Sequence, residues 1–394
     1  MRILHLDCST GFGGQERDHI TEALEFMKRG HEYILGARTG TELERSATRA
    51  TRTLSLPLRS NVDLGSVRQI RSVLVQEKID VLVTTSYIDS WLGNLAARSL
   101  GSGRPLIIRQ RHILNPPHNL FPFRHMCDKL VVVSDALRLY FVERGLPFWH
   151  VVSIPRGISM ERTRDSSCQS SDALRQELSL PPDGPIALQI GTFQKDKGHF
   201  LMLDALSRIW KQTPDLVMVF LGEGPLWDEV LQKAEKKFPG ALEKRLFFRG
   251  MENPSPYFSV ASVVLVPSIR ESLSLVTMES MLNGVPVVAF RVGGIPEIFN
   301  RAPGGKLIRP LDTEAFAEGV REVLSDSECV QKVRTLYSAK IRHYFSVEQS
   351  VRRTEALYDW ELKRIRSNER NRNPYEHSGG KHDPFLEMNS FKNS

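Results

Sequence analysis

The sequence contains little cysteine and no long apolar segment. Its four cysteines among 394 residues are scattered and form no Cys-x-x-Cys pair, which favours free thiols in a reducing compartment over a disulfide scaffold. No apolar run approaches the roughly 20 residues that a membrane-spanning helix needs. A strand-like segment begins directly after Met1 and Arg2, so we expect no signal peptide and a cytoplasmic location.

The remaining composition is that of a globular protein with two domains. Hydrophobic residues make up 41% and charged residues 25% of a chain that is too long for one ordinary core. The net charge is +7, and residues 1–165 hold most of the excess, with 23 Lys and Arg against 17 Asp and Glu. A basic first half is consistent with an acidic acceptor, with an anionic membrane surface, or with an ordinary solvated surface.

The first 35 residues have the pattern of a βαβ unit with a glycine loop. Residues 2–7 read as a strand, the loop 9–16 contains Gly11, Gly13 and Gly14, and a second strand begins near Tyr33. The helix between them has apolar positions at Ile20, Ala23, Leu24 and Met27. The spacing is not Gly-x-Gly-x-x-Gly and no acidic residue stands at the usual place after the second strand, which argues against a dinucleotide site. Such glycines let backbone amides approach a phosphate or sugar closely, although a plain tight turn is the alternative.

The most informative stretch is 261–297, which alternates strand, loop, helix and strand. Residues 261–266 form an apolar run typical of a buried parallel strand, and a helix pattern from 275 to 282 ends at Asn283-Gly284. Glu271 therefore lies in a loop at the carboxyl end of a strand, and Glu279 lies in the following helix. That edge is where ligands bind in open α/β sheets.

Backbone amides at the start of this helix form a candidate anion site. The N–H groups of Ser272, Leu273 and Ser274 lie where first-turn amides lack partners and the helix dipole is positive. Two carboxylates beside such amides suit a ligand that carries both hydroxyls and phosphate. A nucleotide sugar is such a ligand.

This stretch resembles the donor site of retaining GT-B glycosyltransferases of glycosyltransferase family 4, also described as glycosyl transferases group 1. The resemblance rests on Glu271 and Glu279, on Asn-Gly-Val-Pro-Val-Val at 283–288, and on Gly-Gly-Ile-Pro-Glu at 293–297. It implies an α/β fold with two doubly wound Rossmann-like domains facing across a cleft and a C-terminal helix that crosses back to the first domain. It also implies that Glu271 binds sugar hydroxyls and Glu279 binds ribose hydroxyls.

The domain boundaries follow from the linker and from the same resemblance. A Ser- and Asp-rich stretch at 165–172 reads as the linker. We therefore predict an acceptor-binding domain, a nucleotide-sugar-binding domain, a crossover helix and a disordered basic tail. Their predicted bounds are 1–165, 166–345, 346–365 and 366–394, respectively.

The second predicted domain carries the candidate diphosphate-binding residues. In the family, the loop after the first strand of this domain supplies an Arg and a Lys to the donor. Lys197 matches the lysine, whereas Thr192 stands at the arginine position and removes one charge, for which Lys195 is a candidate replacement. The turn with Gly222 and Gly224 resembles the family turn that lies near the nucleotide.

The first predicted domain carries the candidate acceptor side. By resemblance, the Gly13-Gly14 loop faces the donor phosphates and the acceptor, and His112 lies near the reaction centre at the end of a strand. The motif around Gly157 departs from the family pattern, because Arg156 stands in place of Asn and Ser159 in place of Asp. We predict that His112, Glu271 and Lys197 carry the reaction.

The sequence contains no Asp-x-Asp, the pair with which many other glycosyltransferases hold a metal on the diphosphate. We therefore expect no cofactor and no metal. The resemblance implies a nucleotide-sugar donor, which we expect to be a UDP- or GDP-sugar. The expected acceptor is a glycan, a lipid-linked saccharide or another hydroxyl compound of polysaccharide or lipopolysaccharide synthesis. We expect peripheral contact with the inner face of an anionic membrane, and no nucleic acid.

Two other functions fit parts of the pattern. A sugar-nucleotide epimerase or hydrolase uses the same fold, but it needs an acid/base set facing the sugar, and the sequence does not provide a convincing one. A non-catalytic sugar-nucleotide-binding paralogue is the other alternative, and Thr192 and the altered motif at 156–159 favour it.

Overall fold

The computed structural model describes residues 1–114, 117, 119–159 and 170–367. The described chain forms two compact units. The first unit comprises Met1–Gly157 together with the chain from Val347 onward, and the second comprises Ile158–Ser346. The final helix therefore belongs to the first unit.

Each unit contains one parallel β-sheet. In the first, the strand order is β3-β2-β1-β4-β5-β6-β7, and in the second it is β10-β9-β8-β11-β12-β13. The first sheet consists of β1 (Arg2–Asp7), β2 (Glu32–Arg38), β3 (Arg52–Leu56), β4 (Val81–Thr84), β5 (Leu106–Arg111), β6 (Lys129–Val132) and β7 (Val151–Ser153). The second consists of β8 (Ile186–Ile190), β9 (Val217–Leu221), β10 (Leu246–Arg249), β11 (Val263–Val266), β12 (Val287–Phe290) and β13 (Gly305–Ile308). The strand order reverses between β1 and β4 and between β8 and β11, which are the points where doubly wound sheets bind ligands.

Helices connect the parallel strands. Those of the first unit are α1 (Gly14–Lys28), α2 (Glu42–Ala50), α3 (Leu64–Gln76), α4 (Tyr87–Arg98), α5 (Phe121–His125), α6 (Asp135–Val142) and α16 (Val347–Arg366). Those of the second are α7 (Ser171–Glu177), α8 (His199–Gln212), α9 (Trp227–Lys237), α10 (Ser255–Val260), α11 (Leu275–Leu282), α12 (Ile295–Arg301), α13 (Thr313–Ser325), α14 (Ser327–Lys332) and α15 (Ser338–Phe345). Among the described helices, none has both the length and the apolar character that crossing a bilayer requires.

The central strands are apolar because helices cover both faces of each sheet. Every residue of Val81–Thr84 in β4 and of Val263–Val266 in β11 is buried. Continuous apolar runs of this kind distinguish covered parallel strands from the alternating strands of half-exposed sheets. The predicted fold class, two Rossmann-like α/β domains, is confirmed.

Helix α16 packs into the first unit through apolar and ionic contacts. Leu357 and Tyr358 are fully buried, and the Tyr358 ring stacks on Phe26 of α1 with a centroid distance of 6.0 Å. Lys129 Nζ on β6 lies 3.0 Å from Glu361 Oε1, and both side chains are 2% exposed. The C-terminal helix is thus an integral part of the first unit.

The limits of two strands bear on the candidate site. Strand β12 begins only at Val287, because the Val285 N–H donates to the Ser280 carbonyl at the end of α11 and Pro286 has no N–H to give the sheet. Strand β5 extends through Arg111, so the polar residues at 109–111 belong to the strand and His112 is the first residue after it.

The predicted domain limits fall partly on residues that the structure does not describe. The 165/166 boundary lies within 160–169, and the tail lies outside the described residues except for 366 and 367. The compact units instead divide after Gly157 and again before Val347. The exact limits therefore stay predictions.

Candidate functional site

Lys197 and Glu271 form an ion pair in the second unit. Lys197 Nζ lies 2.6 Å from Glu271 Oε1, and the Ser268 hydroxyl donates to the same oxygen at 3.0 Å. Lys197 ends a short 3-10 turn after β8, and Glu271 lies in the loop after β11. The two side chains are 30% and 11% exposed, so a ligand can reach both.

Further contacts join the same two loops. The Ile269 N–H donates to the Asp196 carbonyl at 2.9 Å, and the Arg270 guanidinium lies 2.8 Å from the Asp196 carboxylate. Gln189 at the end of β8 donates to the Lys197 carbonyl at 3.0 Å. The lysine and the glutamate are therefore positioned by backbone and side-chain contacts other than their own ion pair.

Two glycines allow these loops to approach other backbone segments closely. Gly198 has φ +69°, and a Cβ there would lie 1.9 Å from the Pro267 carbonyl oxygen. Gly293 has φ +51°, and its Cβ would lie 1.6 Å from the Glu271 carbonyl oxygen. No side chain fits at either distance. The first glycine of the Gly-Gly motif at 293–294 therefore lets its backbone pack directly against the loop that carries Glu271.

Helix α11 begins directly after the Glu271 loop. Ser274 is its N-cap, and its hydroxyl accepts from the Thr277 N–H at 3.3 Å. Among the described residues, none accepts a hydrogen bond from the backbone N–H of Ser272 or Leu273. Glu279 lies in α11 and is 5% exposed.

The other predicted donor residues lie around the end of β8. Thr192 and Lys195 are exposed, and Lys195 begins the 3-10 turn that ends at Lys197. The turn 222–225, which contains both predicted glycines, is joined to this loop because the Phe193 N–H donates to the Glu223 carbonyl at 2.9 Å. The second unit thus brings its predicted donor residues, apart from Glu279 within α11, to the carboxyl ends of β8, β9 and β11.

The glycine loop of the first unit is bonded internally. The Gly13 N–H donates to the Glu16 carboxylate at 2.8 Å, so this amide already has an anionic acceptor. Arg156 donates to the Gly14 carbonyl and forms an ion pair with Asp18 of α1. The arginine that departs from the family pattern therefore stabilises the start of α1.

His112 lies half-buried immediately after β5. Its Nε2 lies 3.4 Å from Gln110 Oε1, and its ring centroid lies 5.6 Å from that of His19. Burial, and then the nearby charge of His19, lower the pKa of His112 to about 3. The imidazole is therefore neutral at physiological pH.

Asp7 and His19 form a buried pair that the sequence analysis did not predict. His19 Nδ1 lies 2.9 Å from Asp7 Oδ2, and both residues are fully buried. Burial opposes both charges, but the hydrogen bond and charge of Asp7 leave the pKa of His19 raised, and those of His19 leave the pKa of Asp7 well below its usual range. A signal was present, since Asp7 is the last residue of β1 and thus stands at the carboxyl edge of the sheet.

The buried face of α1 differs from the predicted one. Leu24 and Met27 are 37% and 42% exposed, whereas His19, Ala23 and Phe26 are fully buried. The prediction was right for Ala23 and for Ile20, which packs against the core, and wrong for Leu24 and Met27. A histidine occupies a core-facing position of this helix, and an apolar pattern does not reveal such a position.

Two more buried polar groups surround Asp7. His5 bonds to the hydroxyls of Tyr33 and Thr85 at 2.8 Å each. Burial, and then the charge of Asp7, raise the pKa of Asp89 to about 7. The carboxyl end of β1 therefore holds several titratable groups within one enclosed region.

Models of two protein families match adjacent parts of the chain. "Glycosyltransferase Family 4" matches residues 12–162, and "Glycosyl transferases group 1" matches residues 170–340. The chain belongs to the group 1 glycosyltransferases of the GT-B fold. The predicted family is confirmed.

Curated relatives of this glycosyltransferase family are distant. Lipopolysaccharide 1,2-N-acetylglucosaminetransferase of Salmonella typhimurium is 27% identical over 59% of this chain and 62% of its own length. D-inositol 3-phosphate glycosyltransferase of Corynebacterium glutamicum is 29% identical over 52% of this chain and 53% of its own length. The chain thus spans between half and two thirds of the length of these relatives.

Solved structures share the fold over nearly the whole chain. A glycosyltransferase of Rickettsia africae has a TM-score of 0.79 at 19% identity, covering 93% of this chain and 99% of its own. Alr3699/HepE of Anabaena, solved with UDP and glucose, has a TM-score of 0.77 at 19% identity, covering 91% and 100%. These similarities identify the two-domain GT-B fold.

Proposed function

We propose that the protein transfers a sugar from a nucleotide sugar to a hydroxyl acceptor, with retention of anomeric configuration and without a metal ion. The observation that carries this proposal is the ion pair of Lys197 and Glu271 at the carboxyl ends of β8 and β11, 2.6 Å apart and open to a ligand. The family of the chain supports the reaction class.

In this proposal the donor binds to the second unit. Lys197 and the amides of Ser272 and Leu273 receive the diphosphate, and Glu271 accepts hydrogen bonds from the sugar hydroxyls. These groups are fixed by the loop contacts before a ligand arrives, and preorganised positive charge stabilises a developing diphosphate well. The UDP bound to Alr3699/HepE favours a UDP-sugar over a GDP-sugar.

The proposed reaction needs no dedicated base. The bond between the anomeric carbon and the diphosphate oxygen breaks, and the acceptor oxygen bonds to the anomeric carbon on the same face. The acceptor's hydroxyl proton passes to the departing diphosphate. The products are a nucleoside diphosphate and a glycoside.

The acceptor is proposed to be a glycan or a lipid-linked saccharide that meets the first unit. The names of the relatives support this class, since one acts on lipopolysaccharide and another on inositol 3-phosphate. The excess of basic residues in 1–165 is consistent with an acceptor that carries phosphate and with contact with an anionic membrane.

The first test is incubation of the protein with UDP-, GDP- and ADP-sugars and lipopolysaccharide or lipid extracts, with and without EDTA. We expect a new glycoside whose NMR coupling constants show the donor's anomeric configuration, in equal yield with EDTA. Free sugar without glycoside would instead identify a hydrolase. Binding without turnover would favour the non-catalytic paralogue, which the exposed Thr192 at the arginine position supports.

A pair of variants tests the residues. Lys197→Ala is expected to weaken binding of the nucleoside diphosphate by calorimetry about tenfold or more, because a charge-assisted hydrogen bond is lost. Glu271→Ala is expected to abolish turnover with little change in melting temperature. Lys211→Ala, which removes an exposed lysine of α8, is the matched control. This variant should bind the nucleoside diphosphate as the wild type does. Unchanged binding by Lys197→Ala would contradict the donor site.

A further inference from the structure

The first unit holds a buried Asp–His pair that the proposed reaction does not use. Asp7 at the end of β1 and His19 of α1 are 2.9 Å apart, and neither side chain is more than 1% exposed. Asp7 contacts His19 only through Nδ1, which leaves the other ring nitrogen of His19 outside the pair. Within the described residues, His19 Nε2 and His112 Nδ1 are both buried and have no hydrogen-bond partner.

The two histidines that carry these nitrogens border the same small cavity. It lies between α1, the end of β5 and α16, has a volume of about 30 Å³, and is lined by His19, His112, Glu22 and Ser350 among others. A second cavity of about 40 Å³ shares Glu22, His112 and Ser350. A cavity holds a water molecule if it offers more than about 10–15 Å³ and two or more polar partners. Both conditions are met here.

We propose that the Asp7–His19 pair positions His112 through a buried water molecule that bridges His19 Nε2 and His112 Nδ1. The inference rests on the proposed function and on the prediction, made from the family resemblance, that His112 lies near the reaction centre. His19 donates its Nδ1–H to Asp7 and its Nε2–H to the water. The water donates in turn to His112 Nδ1.

This arrangement determines the tautomer of His112. Because Nδ1 accepts from the water, the single proton of the neutral ring lies on Nε2. The contact of 3.4 Å between His112 Nε2 and Gln110 Oε1 agrees with that assignment, and it is long enough to leave the proton available to a ligand. His112 therefore acts as a hydrogen-bond donor and not as a base.

The surrounding charges support a charged His19 beside a neutral His112. The groups that face the two rings are Asp7 and His5 on β1, Glu16, Asp18 and Glu22 on α1, Arg111 on β5, and Arg156 after β7. Asp7 holds the pKa of His19 above its ordinary value, while burial and the His19 charge lower that of His112. Burial raises the pKa of Glu22, so this carboxyl group ionises less readily beside the two rings.

The test is histidine ¹⁵N NMR of the full chain as a function of pH. His112→Gln and His19→Gln identify the signals among the 11 histidines. In the wild type we expect His19 doubly protonated at pH 6 and His112 neutral with its proton on Nε2. In His19→Gln, which keeps a side-chain N–H donor but removes the charge, we expect the titration midpoint of His112 to rise by about 1 pH unit.

Asp7→Asn provides a second, nearly isosteric variant if His19→Gln folds poorly. Without the carboxylate, burial dominates, so the titration midpoint of His19 should fall below its ordinary value of about 6.5. With any donor and acceptor pair that reacts, the kcat of Asp7→Asn should be about tenfold to a hundredfold lower than that of the wild type. The Kd for the donor should stay unchanged. Buried His150, which bonds to the Phe123 carbonyl at 2.6 Å in the same unit, is the matched control. His150→Gln should lower stability but leave the titration of His112 unchanged.

The outcomes separate this inference from the proposed function. A proton on His112 Nδ1, or an unchanged His112 midpoint in His19→Gln, would overturn the positioning role even if sugar transfer is observed. The expected NMR result without sugar transfer from any donor would preserve the pair and contradict the transferase. A high-resolution crystal structure with no water between the two nitrogens would also overturn the inference.

Discussion

Thr192 is the residue at which the chain departs most clearly from the donor sites it resembles. The family places an arginine there, and in this chain the neighbouring Lys197 already shares its charge with Glu271 at 2.6 Å. The exposed Lys195 lies in the same loop as both residues. One additional cation at 192 would therefore add to an incomplete positive site and displace no buried group.

We predict that Thr192→Arg tightens binding of the nucleoside diphosphate about fivefold to tenfold, because an arginine fork contacts phosphate oxygens in pairs. Calorimetric titration with UDP and GDP measures the change. Thr335→Arg, which adds the same charge at another exposed threonine of the second unit, is the matched control. Equal affinities for the two variants would place the diphosphate away from the loop after β8.

At the scale of elements, the loop with Glu271 depends on the backbone packed behind it. Gly293 has φ +51° and faces the Glu271 carbonyl oxygen so closely that a methyl group would lie 1.6 Å away. Strand β12 before this glycine is fully buried, and helix α12 after it buries Ile295, Ile298 and Phe299, so neither element can shift without disturbing the core. A substitution there would act on stability and on the site together.

We predict that Gly293→Ala lowers the free energy of unfolding by about 2–4 kcal/mol, from left-handed backbone strain and from displacement of the loop. Urea denaturation measures this loss, and nucleotide binding should weaken in parallel. Gly103→Ala, where a Cβ would meet nothing within 4 Å, is the control and should change stability by much less. A stable Gly293→Ala protein with normal binding would show that the loop does not need this contact.

Elements with strong local patterns were predictable from the sequence. Helix α11 has the predicted limits, Leu275–Leu282, because a capping serine at 274 and the helix-ending pair Asn283-Gly284 are local sequence signals. The Asp7–His19 pair was not predictable in the same way. Its two members are 12 positions apart, and their contact depends on how α1 packs on β1. The predicted face of α1 was wrong at Leu24 and Met27 for the same reason, since a core histidine interrupts the apolar pattern that the prediction used.

At the scale of the whole molecule, the C-terminal helix α16 completes the first unit. Glu361 contacts Lys129 of β6 at 3.0 Å and Arg364 at 3.1 Å, and the exposure of Glu361 and Lys129 is 2% each. Removing the carboxylate leaves a buried ammonium group without its counter-charge. Such a change is far more costly than the loss of an exposed ion pair.

We predict that Glu361→Ala destabilises the first unit by about 3–5 kcal/mol. Glu328→Ala breaks the exposed pair with Lys332, 2.7 Å apart, and should change stability by less than about 1 kcal/mol. Urea unfolding of both variants compares the two losses. Similar small losses would mean that α16 is held by its apolar contacts alone.

Buried neutral histidines should make the whole chain sensitive to acid. Burial lowers the pKa of His5 well below its ordinary value, of His112 to about 3, and of His150 and His199 to about 4. In the unfolded chain these groups titrate near 6.5, so between about pH 6.5 and 4 the unfolded state binds protons that the native state does not. Stability therefore falls as pH falls through this window. Asp89 and Glu22 oppose this trend, because their raised pKa values mean that the native state binds protons there before the unfolded state does. These two carboxyl groups are outnumbered by the four histidines.

His199 allows this balance to be tested one proton at a time. Its ring stacks on Phe193 with centroids 4.0 Å apart, and neither ring nitrogen has a partner among the described residues, so phenylalanine is a suitable replacement. We predict that His199→Phe reduces the slope of unfolding free energy against pH by about 1.4 kcal/mol per pH unit between pH 6 and about 4.5, because one fewer proton is taken up on unfolding. Urea denaturation at a series of pH values measures the slope. Leu139→Phe, at an exposed position of α6, introduces a phenylalanine without removing a titratable group and should leave the slope as in the wild type. An unchanged slope in His199→Phe would mean that His199 already binds its proton in the native protein, and its aromatic stacking would then have to accommodate a buried charge.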